Sequence, residues 1–114
     1  MNNPVNVFVT ESNVDIYLSK AYASMDGNQR DLLLRLVAEE ESRMGASHDH
    51  MENGERRIED CKDRVKRQRD LVNSLQPNEN RVRAEFLLAT YERTLVLMEG
   101  HQRLLLERFE RDRL

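Results

Sequence analysis

Over residues 72–84 the chain reads VNSLQPNENRVRA, and this stretch decides the fold. Pro77 disfavours helical geometry in Gln76 and suits the opening of a helix after it. One helix is therefore expected to end near residue 75 and another to begin near residue 78, with a loop at 76–80. Working backwards, Val37, Met44, Met51, Ile58, Val65 and Val72 recur every seven residues, with Leu33, Cys61 and Leu75 at the companion position. That step is the signature of a coiled-coil-like seam and predicts one helix from about residue 30 to 75. At 1.5 Å per residue it would approach about 70 Å. Gly45 and the polar stretch Ser47 to His50 are its weakest point, and a break near Gly45 is the alternative to one continuous helix. Working forwards, Ala84, Leu88, Tyr91, Leu95, Met98, Gln102, Leu105 and Phe109 step alternately by four and three, predicting a second helix to about residue 112.

The two stripes test each other. Folding the chain about Asn78 sets Val72 opposite Ala84, Gln68 opposite Leu88, Val65 opposite Tyr91, Cys61 opposite Leu95 and Ile58 opposite Met98. Gly54 then meets Gln102, Met51 meets Leu105 and Ser47 meets Phe109. Large residues face small or polar ones, as close packing requires. One loop thus accounts for two periodicities, and a long antiparallel hairpin over about residues 46–112 is expected.

Upstream, Val5, Val7 and Val9 alternate with Asn6 and Phe8, so residues 1–11 read as a strand-like or partly ordered tail. Ser12-Asn13-Val14-Asp15 resembles a helix start, succeeded at helical spacing by Val14, Leu18, Ala21 and Met25 with Tyr17 and Tyr22 alongside. Asp26-Gly27-Asn28-Gln29 interrupts them, with Gly27 as a stop and Asp26 and Gln29 as a capping box for the next helix. Residues 12–114 are expected to form a single helical domain.

Composition agrees. In 114 residues, 39% are hydrophobic, 34% charged and 5% aromatic, which suits apolar stripes on helices better than a thick core. Four Gly and two Pro are too few for a turn-rich β architecture. Apolar runs stop at four residues, Phe86 to Ala89 and Leu95 to Met98, so no membrane span is expected. The net charge of −3 argues against a general nucleic-acid binder. A single cysteine and an opening Met1-Asn2-Asn3-Pro4 without a basic flank or apolar core point to a cytoplasmic setting.

Few residues could carry chemistry. His48, Glu52 and His101 are weak metal-ligand candidates, because they spread over about two helical turns while a divalent ion needs short, convergent bonds. The segment Ser47 to His50 reads more simply as solvated. Cys61 lies on the seam and reads as a small hydrophobe rather than a nucleophile. Residues 62–69 carry Lys62, Arg64, Lys66, Arg67 and Arg69 against Asp63, while residues 39–60 are acidic. On one helix this division could select antiparallel pairing between subunits; nucleic-acid binding is the lesser reading, since no aromatic platform accompanies the charge. No phosphate loop, nucleophile elbow or cofactor motif is visible, so neither an enzyme nor a cofactor is expected.

The surplus is apolar. Phe86, Leu87, Val96, Leu97, Leu104 and Leu106 lie outside the hairpin seam and would form a large exposed patch. They are the expected interaction surface, covered by the N-terminal helices, by a second copy in a dimeric bundle, or by another protein.

The stretches GERRIEDCKDRVKRQRDLV (residues 54–72) and AEFLLATYERTLVLMEGHQRLLLERF (residues 84–109) resemble small uncharacterised bacterial helical-hairpin proteins. Their shared pattern is a Glu-Arg-Arg-Ile helix, here Glu55 to Ile58, then Leu-Leu-x-Thr-x-Glu-x-x-Leu, here Leu87 to Leu95, and a late His101-x-x-Leu-Leu. The resemblance covers about half of the chain, implies a hairpin and carries no assigned activity or site residue. The expectation is therefore an all-α protein, a hairpin with one or two N-terminal helices, acting as a homodimeric, non-enzymatic interaction module.

Overall fold

The computed structural model describes residues 4–24, 26–44 and 48–113, with side chains described from Val9 onward except those of Met44, His48 and Arg113. The protein is all-α, with α1 (Pro4–Ala23), α2 (Gly27–Met44), α3 (His48–Ser74) and α4 (Glu79–Arg113). Each boundary with a readable cap is set by a short side chain. Asp26 Oδ1 accepts the amides of Asn28 at 2.9 Å and Gln29 at 3.4 Å, fixing the start of α2. Asn78 Oδ1 accepts those of Asn80 at 2.9 Å and Arg81 at 3.3 Å, fixing the start of α4 just beyond Pro77.

Two sequence expectations are corrected. Val5 to Val9 are not a strand or tail, because α1 begins at Pro4. Proline suits a first helical position, and a helix satisfies its backbone groups internally where a lone strand cannot. Nor do residues 30–75 form one rod. Glu41 Oε2 lies 3.8 Å from His50 Nε2, whereas nine residues of continuous helix would separate them by about 13 Å. α2 and α3 are therefore distinct and run in opposite senses; residues 45–47, including the weak point at Gly45, lie outside the described residues. The seven-residue step misled because Val37, Met51, Ile58, Val65 and Val72 are all buried, on two helices rather than one. The acidic segment is split, with Glu39, Glu40 and Glu41 on α2, but Asp49, Glu52, Glu55, Glu59 and Asp60 precede the basic run on α3 itself.

The contacts give the helix directions. Along α3 and α4, Gln102 donates to Met51 O at 2.9 Å, Cys61 Sγ sits 3.7 Å from Tyr91 O, and Gln68 donates to Ala84 O at 2.9 Å. The partners descend as α3 ascends, so these helices are antiparallel. Asp15 meets Arg57 while Tyr22 meets Arg64, so α1 runs with α3. Arg30 meets Thr90 while Glu41 meets His101, so α2 runs with α4. The result is an up-down-up-down arrangement of four helices. α1 and α2 reach only as far as Arg64 and Thr90, and residues 65–89 project beyond them as a two-helix tip. This gives the molecule its length of 53 Å against 24 and 19 Å in cross-section.

The main apolar cluster is N-terminal: Val14, Leu18 and Ala21 of α1 pack with Leu33, Leu34 and Val37 of α2, joined by Met98 of α4. Tyr22 ties this cluster to the long helices. Its ring meets Tyr91 edge-on at 5.6 Å and lies 4.2 Å beneath the Arg64 guanidinium, and its hydroxyl points at Met98 Sδ, 3.8 Å away.

Candidate functional site

Two features stand apart from ordinary packing, one inside the bundle and one outside. The inner one is a charged network at the end opposite the tip. His50 is fully buried, and its Nδ1 lies 2.6 Å from Glu11 Oε1. Arg57, also buried, bonds Glu11 through Nη2 and donates through Nε to Asp15 Oδ1 at 2.9 Å. Glu41 approaches His50 on one side and His101 Nε2, at 3.1 Å, on the other. Every helix contributes: Glu11 and Asp15 from α1, Glu41 from α2, His50 and Arg57 from α3, His101 from α4.

Burial alone would raise the Glu11 carboxyl, but the hydrogen bonds from His50 and Arg57 and the arginine charge outweigh it and hold the group below its ordinary value. Arg57 is held above its own ordinary value, burial being outweighed by Asp15 and Glu11. Buried charges persist only where paired in this way. The network locks four helices together.

Of the three metal-ligand candidates expected from the sequence, only Glu52 and His101 have described side chains. Glu52 is exposed, His101 is turned onto Glu41, and the side chain of His48 lies outside the described residues. Among the described residues no group of three or more His, Cys, Asp or Glu side chains is disposed to hold a metal ion. The histidine that matters structurally is His50, in a segment read from sequence as solvated. Its signal was present: His50, Gly54, Arg57, Cys61, Arg64 and Gln68 step by four and three, a polar stripe along α3. Cys61 is buried, and that burial raises its thiol above the ordinary value. In the basic segment Arg64 covers Tyr22, Lys62 pairs with Glu59 and Arg69 with Glu92.

The outer feature is the face of α4 turned away from the bundle. Val82, Phe86, Val96, Leu97 and Leu104 are exposed, at 65%, 45%, 67%, 45% and 59%. Together with Ala89, Arg93 and Gly100 they recur at steps of four and three, Val96 and Leu97 being adjacent at one step, which at 100° per residue keeps them on one side of the helix. The N-terminal helices do not cover this face. Leu106 is exposed too, but it projects from a different side of α4, and Leu87 is half-buried, so the six residues read from sequence are not one patch. Beside the stripe, between α2 and α4, runs a groove of about 330 Å³ floored by Leu34, Val37 and Met98. The Arg93–Asp31 pair (3.5 Å) flanks one end and the Glu41–His101 pair the other.

No helix among the described residues is long and apolar enough to cross a membrane. Compared with protein-family models, with curated proteins and with solved structures, the chain matches none.

Proposed function

We propose that the protein is a non-enzymatic interaction module, an adaptor or scaffold whose working surface is the outer face of α4. The observation that carries this reading is the stripe itself. Val82, Phe86, Val96, Leu97 and Leu104 are large apolar side chains between 45% and 67% exposed, aligned along one face of one helix. Scattered exposed hydrophobes need no explanation, but an aligned row is the pattern by which one helix recognises another. The buried network and the N-terminal cluster hold α4 in place on α2 and α3, so its outer face is presented by a rigid support.

The test is capture from native lysate with the wild-type chain and with Leu97→Glu, Leu104→Glu and Leu106→Glu. A partner lost from both of the first two and kept by Leu106→Glu places the working surface on the stripe. A partner retained by all three variants, or none in any sample, contradicts the proposal.

A further inference from the structure

We infer that the partner for this surface is a second copy of the chain, packed antiparallel about a two-fold axis that passes beside Arg93. The inference rests on the reading of the α4 outer face given above, and adds occupant, direction and register.

Three observations select this arrangement. First, the stripe apart from Val96 is complementary to its own reverse. Inverted about Arg93, Val82 falls opposite Leu104, Phe86 opposite Gly100 and Ala89 opposite Leu97. In the last two layers a large side chain meets a small one, as interdigitated helices require. Second, the position facing Phe86 is vacant: a Cβ built on Gly100 would meet nothing within 4 Å, so an aromatic ring from a second helix has room there. Third, an opposite charge flanks the stripe in that register. Glu85, whose counterpart about Arg93 is His101, lies two residues along from Arg103 of the other copy on the same side of the helix, and both side chains are exposed.

A parallel pairing in register would set each residue against itself. Glu85 would then face Glu85 and Phe86 would face Phe86, which the antiparallel register avoids. Arg93 meets its counterpart in either direction, and its charge is offset by Asp31 of its own chain, 3.5 Å away. The closed two-fold makes the interface isologous and self-limiting.

Sedimentation equilibrium of charge-reversed variants tests this. Glu85→Arg and Arg103→Glu alone each turn two attractive contacts per dimer into two repulsive ones, and self-association is expected to weaken by roughly tenfold. The double variant, and an equimolar mixture of the two single variants, should recover wild-type affinity, with helical circular dichroism unchanged throughout. A wild-type chain that stays monomeric up to about 100 µM overturns the second copy as occupant. Lysate capture that still depends on Leu97 and Leu104 would then show that the broader reading survives this failure. Dimerisation that ignores both single variants, or is not restored by the double one, overturns the register.

Discussion

Replacing Arg57 with methionine probes the network that joins the four helices. The guanidinium is only 4% exposed and bonds two carboxylates of α1. Methionine keeps the length of the side chain but leaves Glu11, whose side chain is 12% exposed, without its strongest counter-charge. Asp15 is half in solvent and is screened, so the cost concentrates on Glu11. Breaking a buried pair from one side costs about 3–5 kcal/mol. A chain of 114 residues has an unfolding entropy of about 0.24 kcal/mol/K near its midpoint, so Tm should fall by roughly 12–20 °C. Thermal melts followed at 222 nm measure it. The double variant Arg57→Met/Glu11→Gln removes charge from both sides while leaving an acceptor for His50, and should recover at least half of the loss. A fall below about 3 °C, or a double variant as unstable as the single one, would refute the reasoning.

The same site sets a pH dependence. Glu11 is held below its ordinary value of 4.5 in the folded chain. Its contribution is therefore complete above that value and is lost as pH falls through the lower folded one. In Arg57→Met the burial of Glu11 is less compensated and its carboxyl rises, so the gap in Tm between variant and wild type should narrow from pH 7 to pH 4. A gap that widens would contradict this assignment.

The glycines of α3 and α4 should behave oppositely. A Cβ at Gly54 comes within 2.9 Å of Gln102 Cδ, so Gly54→Leu should overpack the α3–α4 seam and lower Tm by about 8 °C, for a cost of about 2 kcal/mol. Gly100 has open space around it, and in a Leu104→Glu background, chosen to disfavour any pairing through the α4 face, Gly100→Ala should raise Tm by about 4 °C. Differential scanning calorimetry checks both. Cys61 is buried with a raised thiol, so Ellman's reagent at pH 8 should react with it only on unfolding; equal rates with and without denaturant would contradict its placement.

Much of this architecture is legible in the sequence because α3 and α4 each carry one apolar stripe and meet at a proline-marked loop. Asp26 and Asn78 announce their caps by residue type alone. The separation of α2 from α3 is only partly legible: Gly45 marks a weak point, but Val37 and Met51 stand two heptads apart and both face the core, so periodicity runs straight across it. The network escapes for another reason. Glu11, Glu41, His50 and Arg57 are residue types that usually lie in water, and only contacts between distant helices identify them as buried. The stripe on α4 is visible as an apolar surplus, but its separation from Leu87 and Leu106 emerges only once α2 and α3 show which sides of the helix are occupied.

The claim that α4 meets a second α4 head to tail is tested most directly by distances between spin labels in the full chain. With Cys61→Ala as background, nitroxides are placed on cysteines introduced by Arg93→Cys or Glu107→Cys. Antiparallel packing about Arg93 predicts a separation under about 20 Å for the first and roughly 40 Å for the second, from 1.5 Å of rise per residue on each side of the axis. Short distances at both positions, or no dipolar coupling at either, would contradict it.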